Sequence, residues 1–355
     1  MGVAHSVRRV AASEGREREA GARTRATGVG SLPGVDVHEA VRTVLGELPE
    51  LPYLPELPAR GAAAGMTGRG LAVVAELGFD LQPAGWRLTD APGVDHRRAR
   101  SLLAEDLDAL EEHAARAGLG DGRELKIQVA GPWTLAATVE RPRGDRLLAD
   151  HGARRELAQA LAEGVRDHVA DVRRRIPGVS LLVQVDEPAL PAVLAARVPT
   201  ASGFGRHRSV DVAGASEALG WVLGAIADSG ATPMSHCCAG DVPVGLLRGA
   251  GARAVSVDLD VLGAAAYDEL GTALDEGDRL FLGVVPSTEP AHRPQDVQVV
   301  ERVLRLLDML GFDPDEVADR LVLTPACGLA GATPAYAREA LALVRASASR
   351  LDSGG

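Results

Sequence analysis

Short apolar runs and longer amphipathic stretches alternate along most of the chain. The apolar runs are typical of buried strands and lie at residues 26–32, 125–129, 180–185, 232–236, 254–259, 279–285 and 321–325, with a weaker one near 53–57 or 79–81. Several are continuous runs of Val, Leu and Ile, as expected for strands covered on both faces. Helical spacing occupies residues 95–117, 145–175, 216–228, 295–310 and 333–348. The alternation predicts a parallel sheet, and about eight strands in one series favour a single (β/α)8 TIM barrel of the α/β class.

The chain of 355 residues fits one domain of this kind, because such barrels reach that length. We expect residues 26–352 to form the barrel. Residues 1–25 mix arginine and glutamate without an apolar period, which predicts a disordered leader.

Composition narrows the possible partners and the compartment. A net charge of −11 argues against nucleic acid as a partner, since its recognition needs a basic surface. No apolar run approaches the roughly 20 residues that a membrane-spanning helix requires. The three cysteines are few and odd in number, which argues against a disulfide framework, so we expect reduced thiols and a cytoplasmic location.

A candidate metal site lies at the carboxyl ends of two predicted strands, where barrels carry their active sites. His236 and Cys238 are two residues apart, so both point to the same side of their strand, and Cys327 ends the last strand. One His and two Cys form a common zinc set, and a carboxylate from the next strand, Asp258 or alternatively Asp260, completes it. Two other readings use fewer of these residues: buried cysteines acting as small apolar side chains, or a Cys–His nucleophile pair.

Other strand ends offer groups for substrate binding. Asp186 and Glu187 end a strand on opposite sides, and one carboxylate there is suited to bind an ammonium group or move a proton. Alternatively, both carboxylates lie in a solvent-exposed loop, which would give the same sequence pattern. Gly30 and Ser31 follow the first strand in a turn that lets a ligand approach the backbone. Glu56 lies in a rigid, proline-rich apolar loop.

Together these segments resemble the catalytic barrel of the cobalamin-independent methionine synthase family, and the short actinobacterial-type members most of all. The resemblance covers about residues 26–351 and rests on Gly-Ser-Leu-Pro near the start, Ala-Gly-Pro-Trp-Thr at 130–134, residues 184–190, His-Cys-Cys at 236–238 and Thr-Pro-Ala-Cys-Gly-Leu at 324–329.

The resemblance implies a methyltransferase that uses zinc to transfer a methyl group to the thiol of homocysteine, giving methionine. The implied zinc ligands are His236, Cys238, Cys327 and Asp258, the last at a position where the family has Glu. The implied contacts to the amino acid are Asp186, with Glu56 as a helper, for its amino group, and Gly30 and Ser31 for its carboxylate. Glu187, the carboxylate next to Asp186, is a further candidate for substrate binding.

The methyl donor is less defined by the resemblance. Where the family has an aromatic platform for the pterin, this chain reads Leu-Ala-Ala-Thr at 135–138, with Trp133 and Trp86 as possible substitutes. The family's proton-donating His is missing from residues 284–288. The donor is therefore expected to be 5-methyltetrahydrofolate or a corrinoid protein. Alternatives on the same barrel are a coenzyme M-type methyltransferase, an epoxide–thiol lyase and a non-catalytic zinc protein.

Overall fold

The computed structural model describes residues 23–353. Its strands are β1 Arg25–Ala26, β2 Gly78–Gln82, β3 Gly85–Thr89, β4 Glu124–Ala130, β5 Ser180–Asp186, β6 Thr232–Cys237, β7 Ala254–Asp258, β8 Arg279–Val285 and β9 Leu321–Pro325. Its α-helices are α1 Val37–Glu47, α2 Met66–Val73, α3 Val94–Ala117, α4 Pro132–Thr138, α5 His151–Arg175, α6 Leu190–Leu194, α7 Val212–Asp228, α8 Val244–Gly249, α9 Ala264–Asp275, α10 Asp296–Leu310, α11 Pro314–Val317 and α12 Pro334–Asp352.

The main sheet is parallel throughout and has seven strands in the order β1-β9-β8-β7-β6-β5-β4. Helices follow the strands along the chain, as the alternating pattern predicted. The α/β barrel class is thereby confirmed. The largest shift of a predicted helix boundary is at the start of α5, which begins at His151 and not at Asp145, because Asp145 has a positive φ and Asp150 caps the helix by accepting the Ala153 N–H.

The eighth position of the barrel is held by residues 51–56, between β1 and β4. Isolated parallel bridges join Tyr53 to Lys126 and Ser31 to Glu56. The Leu54 N–H donates to the Lys126 carbonyl at 3.0 Å, and the Glu56 N–H donates to the Gly30 carbonyl at 3.1 Å. Prolines in this segment have no N–H for a regular ladder, so the ring closes through isolated bridges and an eighth regular strand does not form there.

The other weak strand candidate, residues 79–81, lies outside the main sheet. It belongs to β2, which pairs antiparallel with β3 in a hairpin. Of the two alternatives, the segment near Tyr53 is therefore the one that contributes to the barrel.

The barrel interior changes from apolar to polar toward the carboxyl ends of the strands. Its apolar plug is a separate cluster of buried side chains: Leu51, Leu182, Met234, Ala254, Phe281 and Val322. A larger apolar core fills the space between the outside of the sheet and the helices. Both faces of the strands are thus buried, which explains their continuous apolar sequences.

The predicted leader at residues 1–25 lies largely outside the described residues. Of its last residues, Thr24 is buried and Arg25 begins β1, one position before the expected start of the barrel. Among the described helices, none is long and apolar enough to cross a membrane.

Candidate metal centre

Three side chains with metal-binding atoms converge at the carboxyl end of the barrel. His236 lies in β6, Cys238 follows the end of β6, and Cys327 lies just beyond β9. Their ligand atoms all lie within 4.8 Å of one another. Cys237 points to the other side of the strand and is buried in the outer core. Strand alternation therefore separates the two adjacent cysteines as expected.

His236 is oriented so that one ring nitrogen remains available. Its Nδ1 lies 2.9 Å from the hydroxyl oxygen of Ser256, the residue opposite it in the register of β6 and β7. Its Nε2 is buried and has no hydrogen-bond partner among the described residues. A buried imidazole held at one nitrogen and unpaired at the other is typical of a metal ligand with its supporting hydrogen bond.

The two thiol groups are in direct contact. Their sulfur atoms lie 3.3 Å apart and are joined by a hydrogen bond. This hydrogen bond is the main cause that lowers the pKa of Cys327 to about 4, and it raises the pKa of Cys238. Two thiolates at this distance would repel each other strongly unless a cation neutralised them. The donor set therefore fits a thiophilic dication such as zinc.

The carboxylate expected to complete the set does not join these three groups. Asp258 ends β7 and is half-buried, but its carboxylate accepts the N–H of Asp260 at 2.9 Å and lies outside the 4.8 Å cluster. Asp260 points away, and its side chain pairs with Arg302 at 2.8 Å near the surface. Neither alternative is held as a fourth ligand, because a short aspartate side chain engages the local turn more readily than it reaches the cluster.

Asp186 lies next to this cluster of His236, Cys238 and Cys327. It ends β5 opposite His236 in the sheet register, and it is buried. Burial is the main cause that raises its pKa to about 7, while His236 and Lys126 act in the opposite direction. Its Oδ1 accepts a hydrogen bond from the Gln184 amide at 2.7 Å. A buried carboxylate of this kind is suited to bind a cationic group.

Glu56 and Ser31 border the same end of the barrel. Glu56 pairs with Arg69, whose Nε lies 3.1 Å from the Glu56 carboxylate, and Arg69 also pairs with the buried Asp106. The Ser31 carbonyl accepts the Leu329 N–H at 2.8 Å. A Cβ on Gly328, the residue after Cys327, would lie only 2.1 Å from the Ser31 hydroxyl. The structure therefore brings the predicted turn beside Cys327.

The glycines of the first turn make room for the protein's own side chains. A Cβ on Gly28 would lie 2.3 Å from the Tyr53 ring, and one on Gly30 would lie 3.2 Å from the Gln128 side chain. Their small size is thus explained by internal packing, whereas the sequence had indicated backbone approach to a ligand.

Glu187 requires a correction of its predicted role. It is fully buried, and its two oxygens accept hydrogen bonds from the Trp133 N–H at 2.9 Å and from the Thr134 N–H and hydroxyl, both at 2.8 Å. Burial raises its pKa to about 7, and these hydrogen bonds oppose the rise. Its carboxylate therefore holds the start of α4 and is not offered to a substrate.

Neither tryptophan is positioned as an exposed aromatic platform. Trp133 and Trp86 are 3% and 5% exposed, and the Trp133 indole N–H donates to the Ala215 carbonyl at 3.0 Å. Stacking of a substrate ring requires an accessible ring face. The two possible substitutes for the missing platform are therefore both occupied by internal packing.

Sequence reasoning missed a buried polar layer in the barrel interior. It contains Lys126, the single lysine of the chain, together with Gln128 and Gln184. Polar residues at every second position of the apolar strand 125–129 were the available signal, since such spacing places them on one face.

Comparison with known proteins gives a family and a fold. The family model described as "Cobalamin-independent synthase, Catalytic domain" matches residues 106–350, which is more than half of the chain. No curated protein matches the sequence. A solved B12-independent methionine synthase from Shewanella sp. W3-18-1, in complex with selenomethionine, has a TM-score of 0.59 and 12% identity, covering 94% of this chain and 99% of that chain. At this identity the similarity concerns the fold.

Other solved structures are less similar. A 2,3-dimethylmalate lyase has a TM-score of 0.38 and 11% identity, covering 94% of this chain and 84% of that chain. An oxaloacetate acetylhydrolase with bound oxalate has a TM-score of 0.35 and 13% identity, covering 87% and 78%.

Proposed function

The chain belongs to the cobalamin-independent methionine synthase family, through its catalytic domain, and we propose that it is a zinc-dependent methyltransferase that converts homocysteine to methionine. The observation that carries the proposal is the convergence of His236, Cys238 and Cys327 at the barrel mouth. Bound there, zinc would hold a substrate thiol as the nucleophilic thiolate at neutral pH, where a free thiol with a pKa of about 8.5 is mostly protonated.

Three side chains of the protein would supply ligands to the zinc ion. The imidazole Nε2 of His236 and the sulfur atoms of Cys238 and Cys327 are the proposed metal ligands. Ser256 keeps the imidazole in place through its hydroxyl. Asp258 is the proposed fourth ligand. To bind the metal, its carboxylate would first have to release the hydrogen bond that it accepts from the Asp260 N–H.

The amino-acid part of homocysteine would be held by groups that border this cluster. Asp186 is proposed to accept the substrate ammonium, with Glu56 as a second carboxylate, and the Gly30–Ser31 turn is proposed to bind the carboxylate. These contacts orient the substrate sulfur toward the methyl carbon. Orientation of two reactants in one site can contribute roughly 7–11 kcal/mol toward lowering the barrier. The selenomethionine complex of the Shewanella synthase supports a methionine-sized ligand as the probe for this pocket.

The methyl donor is proposed to be 5-methyltetrahydrofolate, with a corrinoid protein as the alternative. The internal packing of Trp133 and Trp86 leaves neither ring as a stacking platform for a pterin, so other groups would have to bind the pterin of a folate donor.

Methionine formation from homocysteine, measured with each donor, tests the proposal. We expect Cys327→Ser and Cys238→Ser to lose both zinc and turnover. Cys237→Ala is the matched control, since this adjacent cysteine points into the outer core, and we expect it to retain zinc and activity. Full turnover by a zinc-free Cys327→Ser protein would refute the proposal.

The same assay separates this function from other thiol alkylations on a zinc barrel. Thiols without an amino group, such as coenzyme M, would not need Asp186. We expect Asp186→Asn to weaken homocysteine use strongly. Equal activity of that variant toward homocysteine, together with better use of a thiol without an amino group, would favour the alternative activity.

A further inference from the structure

A buried polar layer separates the apolar plug of the barrel from Asp186. Its centre is Lys126, a fully buried residue of β4. The Lys126 ammonium lies 2.7 Å from the Val29 carbonyl and 2.9 Å from the Gln184 side-chain oxygen, with the Gln128 oxygen at 3.4 Å. The Tyr53 ring covers it, with its centroid 5.3 Å away. An ammonium held this completely has one fixed position.

Lys126 determines which way the Gln184 amide faces. Because the ammonium only donates hydrogen bonds, the amide oxygen of Gln184 must face it. The amide nitrogen then faces the other way, where it donates to Asp186 at 2.7 Å and to the Val29 carbonyl at 2.9 Å. A reversed amide would place two donors against each other at Lys126 and two acceptors against each other at Asp186.

The same layer also contacts the chain just before the proposed carboxylate site. The Val29 carbonyl accepts hydrogen bonds from both Lys126 and Gln184, and Gly30 and Ser31 follow directly. The turn itself is also held by backbone hydrogen bonds that do not involve the lysine, from the Glu56 N–H to the Gly30 carbonyl at 3.1 Å and from the Leu329 N–H to the Ser31 carbonyl at 2.8 Å, so the carboxylate site does not depend on Lys126 alone.

Charge explains why a lysine occupies this place. Burial lowers the pKa of Lys126 to about 8, and the nearby carboxylates of Asp186 and Glu56 act against this. Glu56 already pairs with Arg69, so Asp186 is the carboxylate left to balance the ammonium. A buried charge without such a partner would be costly.

We propose that Lys126 is a positioning residue that acts through Gln184 to hold Asp186 as an oriented acceptor for the substrate's amino group. The inference rests on the proposed function, in which Asp186 binds that group. It predicts that loss of Lys126 weakens the binding of ligands that have an amino group and spares ligands that lack one.

Calorimetric binding of two ligands to the zinc-loaded protein tests this. The ligands are L-methionine and 4-(methylthio)butanoate, which has the same chain without the amino group. For Lys126→Met we expect methionine to bind at least tenfold more weakly, with the affinity for the second ligand changed less than twofold. Zinc content and thermal unfolding report whether the variant is folded and loaded.

Gln184→Met is the second variant, and it keeps the experiment decisive if Lys126→Met does not fold. It breaks the link to Asp186 while leaving the lysine in place, so we expect the same selective loss of methionine affinity. Unchanged methionine affinity in a folded variant, or an equal loss for both ligands, would overturn the inference. If the wild-type protein binds neither ligand, the proposed function itself fails and the inference falls with it.

Discussion

Replacement of Glu187 by glutamine tests whether this residue holds α4 or binds substrate. Glutamine has the same shape but only one oxygen. If that oxygen faces Thr134, the NH2 group of the glutamine faces the Trp133 N–H. In the wild-type protein this N–H donates a hydrogen bond to Glu187 at 2.9 Å. An orphaned buried donor costs about 1–3 kcal/mol, and the two bonds to Thr134 lose their charge assistance, about 1 kcal/mol each. Relief from burying a charge offsets part of this, so we expect a net loss of about 2–3 kcal/mol.

Urea unfolding followed by circular dichroism measures this change in the free energy of unfolding. Thr134→Val is the graded control, because it keeps both backbone N–H bonds to Glu187 and removes the hydroxyl bond to Glu187 together with the long 3.4 Å bond that the hydroxyl accepts from the Ala189 N–H. We expect it to lose about 1.5 kcal/mol. Zinc content and methionine affinity should stay near the wild-type values in both folded variants. If Glu187→Gln unfolds like the wild type but binds methionine far more weakly, Glu187 is a substrate contact and our reassignment is wrong.

Two further predictions concern the metal ligand and acid stability. Ser256→Ala should weaken zinc binding about 10–100-fold, measured by competition with a chelator, because His236 loses the hydroxyl that orients it; an unchanged affinity would show that Ser256 does not support the ligand. His168 is buried, and burial lowers its pKa from 6.5 to about 4, so the unfolded chain takes up this proton first as the pH falls. Stability should therefore decrease by about 2 kcal/mol from pH 7 to pH 5 through this group. His168→Gln should lack that part of the decrease, and an identical pH dependence in both proteins would contradict it.

The strands from β4 to β9 were predictable because each is a short apolar run with both faces buried. β1 was predicted over residues 26–32, yet its regular part is Arg25–Ala26. The remainder bends around Tyr53 and Gln128, which fill the space left by Gly28 and Gly30. These contacts join segments that are far apart in the sequence, so the hydrophobic pattern of a single segment does not predict them.

The site divides in the same way. Alternation along a strand was enough to place His236 and Cys238 on one side, and the end of the last strand brought Cys327 to them. The hydrogen-bond partners of each carboxylate could not be predicted from the sequence. Glu187 meets the start of a helix and Asp258 engages its own turn, and both contacts depend on three-dimensional positions that residue type does not specify.

Zinc-edge X-ray absorption with and without homocysteine shows whether this centre binds zinc and the substrate thiol. We expect one zinc per chain, held by one nitrogen and two sulfur ligands from His236, Cys238 and Cys327, with one further sulfur ligand after homocysteine is added. Cys327→Ser should remove the zinc signal. A folded protein without zinc, or a zinc shell that homocysteine leaves unchanged, would contradict the claim that this centre activates the substrate thiol.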